Sequence, residues 1–535
     1  MVIKEKGDYR RIFGILVIAT ILANIKSILN DYNADSGYAI VMSYRQVRGE
    51  LLLSEMWEPH QTSGFLAALL IKFYLMIVGT TTGIVLYLQA AGVIIRGLFM
   101  LFFYHSMKSF IRKDMLMLMC LFFFSATPKG LPMPEFSNMQ VWFSIGLICS
   151  LIRYLRKQDK TVWLVLSGIF LCLQVLAYPS CLIVYAGVVG LLAYYTKKKW
   201  KNIGIFTGVC ACGGGLYCGW LLYKLGLDGL TSGIKNIVSG DSSHSASLIS
   251  KFGGYVWECI SILGFFIVIG IFTYVILWLI KIIYRYRKIK PEAVCTSNLL
   301  LAVFFILLFA SELIAILMVD MDYSTQIPMY IPIIVTAVLL KKYCADHEQQ
   351  MFVVATILGF FNFLATLMLT NLSAASSLSY MIPAVMMACI PIVRGIERSP
   401  VLKQRRMSYS LLFLFCGVII FRSGCLFSSM SGLKTNPLYL GGIVKDGPAV
   451  GIISEYMGPY VFNETLQEWK ELVNDGDSVL IIGNKTTYDP LPYLFSDVEI
   501  SVPSTICTPT YDEKLLDYWE TYPEKYPDVI VVDCW

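Results

Sequence analysis

Fourteen apolar stretches recur along the chain, near 12–29, 64–79, 83–105, 114–127, 138–152, 162–177, 180–195, 203–223, 255–280, 297–319, 327–340, 351–370, 378–393 and 408–427, and short basic clusters punctuate them. A helix that crosses a bilayer needs about 20 apolar residues, and no other fold consumes them at this frequency. Hydrophobic residues make up 56% of the 535, charged residues 15%, and the mean hydropathy is +0.65, which excludes a soluble globule. The expected fold class is therefore a polytopic α-helical membrane protein. The segment MVIKEKGDYRR before Ile12–Leu29 looks like the start of a signal peptide, but no small-residue cleavage site follows it, so it reads as a retained first helix. The net charge of +6 lies in clusters at the ends of apolar runs and reports membrane orientation, with no nucleic-acid partner implied. Fifteen cysteines fall mostly inside apolar runs without metal or redox spacing.

Charge parity then sets the topology. If 64–79 crosses the membrane, the N-terminal cluster Lys4/Lys6/Arg10/Arg11 lies opposite all later clusters, from Lys108/Arg112/Lys113 to Arg394/Arg398/Lys403/Arg405/Arg406. If it does not cross, every cluster is cytoplasmic. Sixteen residues reach only about 24 Å as a helix, and Lys72 sits in the middle of this one. The expectation is thirteen spans, with 64–79 half-embedded in a first outer loop over 30–82, a cytoplasmic N-terminus, and a transmembrane domain over 1–428 in the plasma membrane of a bacterium. Residues 429–535 form the other domain, on the outer side. There, Asp477–Gly483 and Asp528–Asp533 read as buried strands, and Asn463–Val473 and Tyr511–Tyr522 as amphipathic helices, which makes a small extracytoplasmic α/β domain with a short parallel sheet. GxGxxG and GxxxxGK[ST] are both absent.

Chemistry-bearing residues gather on the outer side of this topology. The first loop holds Asp31, Asp35, Glu50, Glu55, Glu58 and His60. Tyr38, Val41, Met42, Tyr44 and Val47 fall largely at helical spacing, predicting an amphipathic helix lying on the bilayer. Asp35 stands at the N-terminal end of that helix, either as its cap or as a carboxylate facing an aqueous cleft. Glu58, His60 and His244, the last in a long loop over Gly226–Ser250, have the ligand types to hold a divalent metal ion, against the reading of solvated loop residues. Lys129 and Glu135 flank a proline-rich turn, where they suit either substrate binding or an interfacial ion pair. Arg96 and Glu312 are intramembrane charges, suited to pairing or, for Arg96, to a lipid phosphate. Tyr178 and Tyr380 sit near span ends, where interface anchoring competes with substrate binding.

The order NADSGYAIVMSYRQVRGE, then MWEPHQTSGFLAALLIKFY, then MPEFSN resembles the GT-C class of membrane glycosyltransferases, which includes protein O-mannosyltransferases, aminoarabinose transferases and oligosaccharyltransferases. The likeness covers the first 200 residues or so. It implies a sugar donor on a polyprenyl-phosphate carrier, Asp35 as the general base, and positive charge for the departing phosphate from a metal, Lys129 or Arg96; Glu135 and Tyr380 are the other candidate substrate-binding residues. The Asp-Glu doublet of the O-mannosyltransferases is Asp35-Ser36 here, which favours a cell-surface glycan or lipid acceptor over protein. Two other classes compete: a flippase of lipid-linked glycans, which would line its path with more intramembrane charge, and an assembly factor using the outer domain as a docking surface.

Overall fold

The computed structural model describes residues 2–58, 60–128, 131–158, 160–240, 248–287, 303–311, 314, 327–369, 373–398, 405–425, 440–455, 457–483, 489–505 and 514–532. Helices occupy the expected apolar stretches: α1 (Val2–Ile28), α3 (Gly64–Val78), α4 (Ile84–Met107), α5 (Lys113–Ser125), α6 (Phe136–Arg156), α7 (Thr161–Ala177) and α8 (Val184–Tyr195), then further helices over Ile327–Leu340, Asp346–Leu369, Ile382–Glu397 and Arg405–Cys425. Among the described residues, seven helices are long and apolar enough to cross a membrane, and three shorter ones are apolar. Most of the 297–319 stretch, with Glu312, lies outside the described residues.

α6 is the axis of the bundle. It is buried along nearly its whole length, against α4, α7 and the helix Asp346–Leu369. The stretch over 203–223 was expected to end in a loop; instead a helix runs over Lys199–Gly240, broken only at Gly226, whose φ of +67° and extended ψ are accessible to glycine without strain. The expected loop Gly226–Ser250 is thus helical over most of its length, and its remaining stretch, 241–247 with His244, lies outside the described residues.

α2 (Ala34–Arg48) is capped as the sequence allows: the Asn33 side chain accepts from the Ser36 N–H at 3.0 Å, and Gly49 closes the helix in the left-handed region. Its environment corrects the expectation of a helix lying on the bilayer. Every residue from Ser36 to Arg45 is buried, because α3 covers one side and the C-terminal domain another. Arg45 is fully buried and paired with Glu50 at 2.6 Å and Glu58 at 3.3 Å.

The C-terminal domain contains the expected parallel sheet. β1 (Leu440–Ile443) and β2 (Ile453–Glu455) form an antiparallel pair, while β3 (Ser478–Ile482) lies between β4 (Glu499–Ile500) and β5 (Val529–Val532), parallel to both. The domain is knitted to the first loop. The Ile453 N–H donates to the Leu29 carbonyl at 2.9 Å, and one apolar core joins Ile40, Val41, Ile71, Ile84 and Leu88 to Val479, Leu491 and Leu494. Both ends of α3 meet this domain: before it the Trp57 N–H donates to Pro503 O at 2.7 Å, and after it Thr81 Oγ1 donates to Leu494 O at 2.7 Å and the Gly83 N–H to Gly447 O at 3.0 Å.

Candidate functional site

Asp35 is the second residue of α2, in the first turn and exposed, where the unpaired N–H groups of the helix end favour a carboxylate. Asn33 does the capping, so that role is not Asp35's. Asp35 and Glu135 both lie within electrostatic reach of the Tyr380 hydroxyl, which donates to Ser137 Oγ at 2.9 Å. Glu135 is buried at the N-terminal boundary of α6, directly after the proline turn. Asn138 holds that turn through its side-chain amide, which donates to Leu131 O at 2.6 Å and Met133 O at 2.8 Å. Gly92 of α4 lets the turn approach: a Cβ there would lie 1.9 Å from the Pro132 carbonyl oxygen.

His60 joins the same neighbourhood through a ring stack. Its imidazole lies parallel to the Phe136 ring with centroids 4.4 Å apart, and Tyr178 closes on it at 5.1 Å. Tyr178 and Tyr380 are buried, so neither is the interface anchor that its position near a span end suggested. The start of α6, the end of α7 and the turn before the helix Ile382–Glu397 thus meet where His60 stacks on Phe136, Tyr178 closes on His60 and Tyr380 bonds to Ser137, next to Glu135.

Glu58 does not join it. Its carboxylate accepts from Ser504 Oγ at 2.7 Å, the Thr505 N–H at 2.7 Å and Thr505 Oγ1 at 3.0 Å, with Arg45 opposite. Both oxygens are committed to the C-terminal domain, which corrects the assignment of Glu58 as a metal ligand. Burial pushes the Glu58 carboxyl above the usual carboxylate value, while Arg45 and these hydrogen bonds pull the other way. Among the described residues no group of three or more His, Cys, Asp or Glu side chains is gathered to hold a metal ion. His244 and Lys129 lie outside the described residues.

Arg96 lies four residues beyond Gly92 on α4, hence about 6 Å further along the same face. Its guanidinium is buried, donates to Asn24 Oδ1 near the outer end of α1, and lies over the Phe124 ring at 5.3 Å. Among the described residues its Nε and Nη1 have no hydrogen-bond partner.

The residues that reasoning from sequence missed are the supports. Phe136, Ser137 and Asp489 are not among the candidate residues. In the fold, Asp489 accepts from the Tyr32 hydroxyl at 2.6 Å and lies against Gly37, where a Cβ would come within 2.5 Å of its Oδ1. Burial and the neighbouring Asp489 carboxylate push the Tyr32 phenol well above its ordinary value.

No protein-family model matches the sequence, and no curated protein matches it. Among solved structures, the chain is similar to the Archaeoglobus fulgidus oligosaccharyltransferase in its apo form, at 12% identity and a TM-score of 0.46, covering 93% of this chain and 64% of that one. It is also similar to the archaeal oligosaccharyltransferase AglB from the same organism in complex with an inhibitory peptide and a dolichol-phosphate, at 13% identity and a TM-score of 0.40, covering 78% and 55%. A form of the first enzyme with Zn and sulfate gives 12% identity, a TM-score of 0.46 and coverage of 93% and 62%. The chain thus spans about three fifths of the length of these enzymes, and what it does rests on its own residues.

Proposed function

We propose that this chain is a glycosyltransferase that moves a sugar from a polyprenyl-phosphate carrier to a cell-surface glycan or lipid acceptor at the outer face of a bacterial plasma membrane. The observation that carries this reading is the gathering of Glu135, His60 and Tyr380 at the start of α6, with the exposed Asp35 carboxylate in the first turn of α2. In the reaction the acceptor hydroxyl oxygen attacks the anomeric carbon of the donor sugar and the bond from that carbon to the phosphate oxygen breaks. The electron pair leaves with the polyprenyl phosphate. Asp35, exposed to the outer cleft, accepts the hydroxyl proton, and Glu135 orients the sugar through its hydroxyls. The free N–H groups of Arg96 receive the departing phosphate charge, one turn below the 131–135 turn. Tyr380 and Lys129 complete the substrate contacts. His60, stacked on Phe136, is an aromatic wall of the site in this reading. The step as written uses this chain's own residues and routes nothing through a metal.

Both ends of α3 touch the same outer domain, which supports the half-embedded reading of 64–79 and thirteen spans in all. The N-terminus is then cytoplasmic and the C-terminal domain extracytoplasmic. The test is transfer by purified protein in liposomes, from a polyprenyl-phosphate-linked labelled sugar to a membrane glycan fraction. Labelled product supports a transferase. Translocation of the intact donor across the bilayer without product would instead establish a flippase.

A further inference from the structure

Beneath the two carboxylates α6 presents a neutral polar stripe. Ser137, Gln140 and Ser144 fall within an arc of about 60° at 3.6 residues per turn. The ends of the stripe are tied. Ser137 accepts from Tyr380, and Ser144 Oγ accepts from the Asn362 amide at 2.8 Å, while the Asn362 carbonyl accepts from the Gln174 amide.

The middle is not tied. Gln140 is fully buried, and neither its amide nitrogen nor its amide oxygen has a hydrogen-bond partner among the described residues. The Gln174 carbonyl oxygen on neighbouring α7 is in the same condition, as is the hydroxyl of Ser377, three residues before Tyr380 and fully buried. Native proteins leave few such groups, because a buried polar atom without a partner has given up its water for nothing. The Tyr380–Ser137 bond brings the Ser377 turn to the turn of α6 just before Gln140, and the Gln174–Asn362–Ser144 chain reaches the turn just after it, so unpartnered donors and acceptors flank one stretch of α6, as the complement of a polar ligand would.

We propose that Gln140, with Ser377 and the Gln174 carbonyl, forms a subsite for one neutral, hydroxyl-bearing sugar residue, the one bonded to the carrier, with the Gln140 amide bridging two adjacent hydroxyls. A primary amide offers a donor and an acceptor side by side, which matches a vicinal diol. The chemistry of the stripe excludes charged sugars: Ser137, Gln140, Ser144, Gln174, Asn362 and Tyr380 supply neither a cation for a uronic acid nor a carboxylate for an amino sugar. Charge enters only beyond the stripe, from Asp35 and Glu135 at its upper end and from Arg96 toward the carrier phosphate, where it does not reach the Gln140 subsite.

This rests on the transferase reading, so the test separates the two. In the Asp35→Asn protein, with chemistry removed, binding of undecaprenyl phosphate is compared with binding of undecaprenyl phosphate carrying glucose, glucosamine or glucuronic acid. The glucose carrier is expected to bind at least tenfold tighter than the bare phosphate, and the charged-sugar carriers no tighter than it. Gln140→Leu should erase the glucose increment while leaving the affinity for bare undecaprenyl phosphate within twofold. If the increment survives Gln140→Leu, or both affinities fall together, Gln140 is a core group or a water site and the proposal is overturned. Gln140→Glu gives a second readout that depends on no loss of packing: preference should move to the glucosamine carrier, and an unmoved preference overturns the subsite. Retained transfer in Asp35→Asn would instead refute the base and leave the binding comparison standing.

Discussion

The Glu58 carboxylate accepts the Thr505 backbone N–H at 2.7 Å, although 447 residues separate them in sequence. Ser504 and Arg45 complete its shell, and Arg45 reaches on to Glu50, which also receives Lys525 at 3.2 Å. The first loop and the C-terminal domain are therefore one body, tied through buried charges. Two residues after Glu58, His60 stacks beside Glu135, so the clamp and the reaction centre share a short stretch of backbone.

Removing one partner of such a clamp is expensive. Glu58→Ala leaves Arg45 buried beside a void and should destabilise the folded protein by about 3–5 kcal/mol. Glu58→Gln, which keeps the acceptor for Thr505 and lets the Ser504 hydroxyl accept from the amide N–H instead, should cost clearly less. Thermal unfolding in detergent measures both, and a Glu58→Ala protein that melts like wild type would show that the clamp is not structural.

The interface should loosen in acid. Burial pushes the Glu499 carboxyl up, but the hydrogen bond and charge of Lys525, with Arg48 beside it, outweigh burial and hold it below its ordinary value. A carboxylate depressed in the folded state contributes stability above its unfolded value of about 4.3, and loses it as pH falls through the folded value. The difference in melting temperature between wild type and Glu499→Gln should therefore be largest near neutrality and shrink on acidification to below about pH 4. A difference that does not change with pH would contradict the sign.

Gly92→Ala tests the seat of Glu135. The added Cβ would meet the Pro132 carbonyl oxygen, and backbone cannot swing away as a flexible side chain can. Forcing that contact should cost about 1–3 kcal/mol, and transfer should fall with it because the turn carries Glu135. Wild-type melting and activity would mean that the turn does not sit where Gly92 makes room for it.

Thr81 and Gly83 bond to the C-terminal domain, so on the proposed topology cysteines placed from Gly79 to Gly83 should react with an impermeant thiol reagent added from outside the cell. Labelling only from the cytoplasmic side would overturn the half-embedded reading of α3.

Periodicity and charge parity reveal most of the helices, because burial in lipid needs long apolar runs and leaves a direct trace in the residues. They also expose the strands over 478–482 and 529–532, although the second, expected to be buried, leaves Ile530 and Val532 exposed on one face because it lies at the edge of the sheet. The acidic first loop and Glu135 are legible for a related reason: charge at the edge of an apolar run is costly unless it is used. The partners are not legible. Nothing local ties Glu58 to Thr505 or Gly37 to Asp489, since each contact depends on how the C-terminal domain folds back over α2. The helical stripe of Gln140 was equally hidden, because one amide among apolar neighbours looks like a tolerated core residue until its lack of partners is seen.

The central claim is that Asp35 takes the acceptor proton, and one substitution isolates it. Asp35→Asn keeps the shape of the side chain, and the cap on α2 belongs to Asn33, so expression and melting should match wild type. General-base assistance contributes about a hundred- to ten-thousand-fold, so the initial rate of sugar transfer from a polyprenyl-phosphate donor should fall by that factor while donor binding persists. Near-full transfer by the folded Asp35→Asn protein would contradict the account and move the base to Glu135.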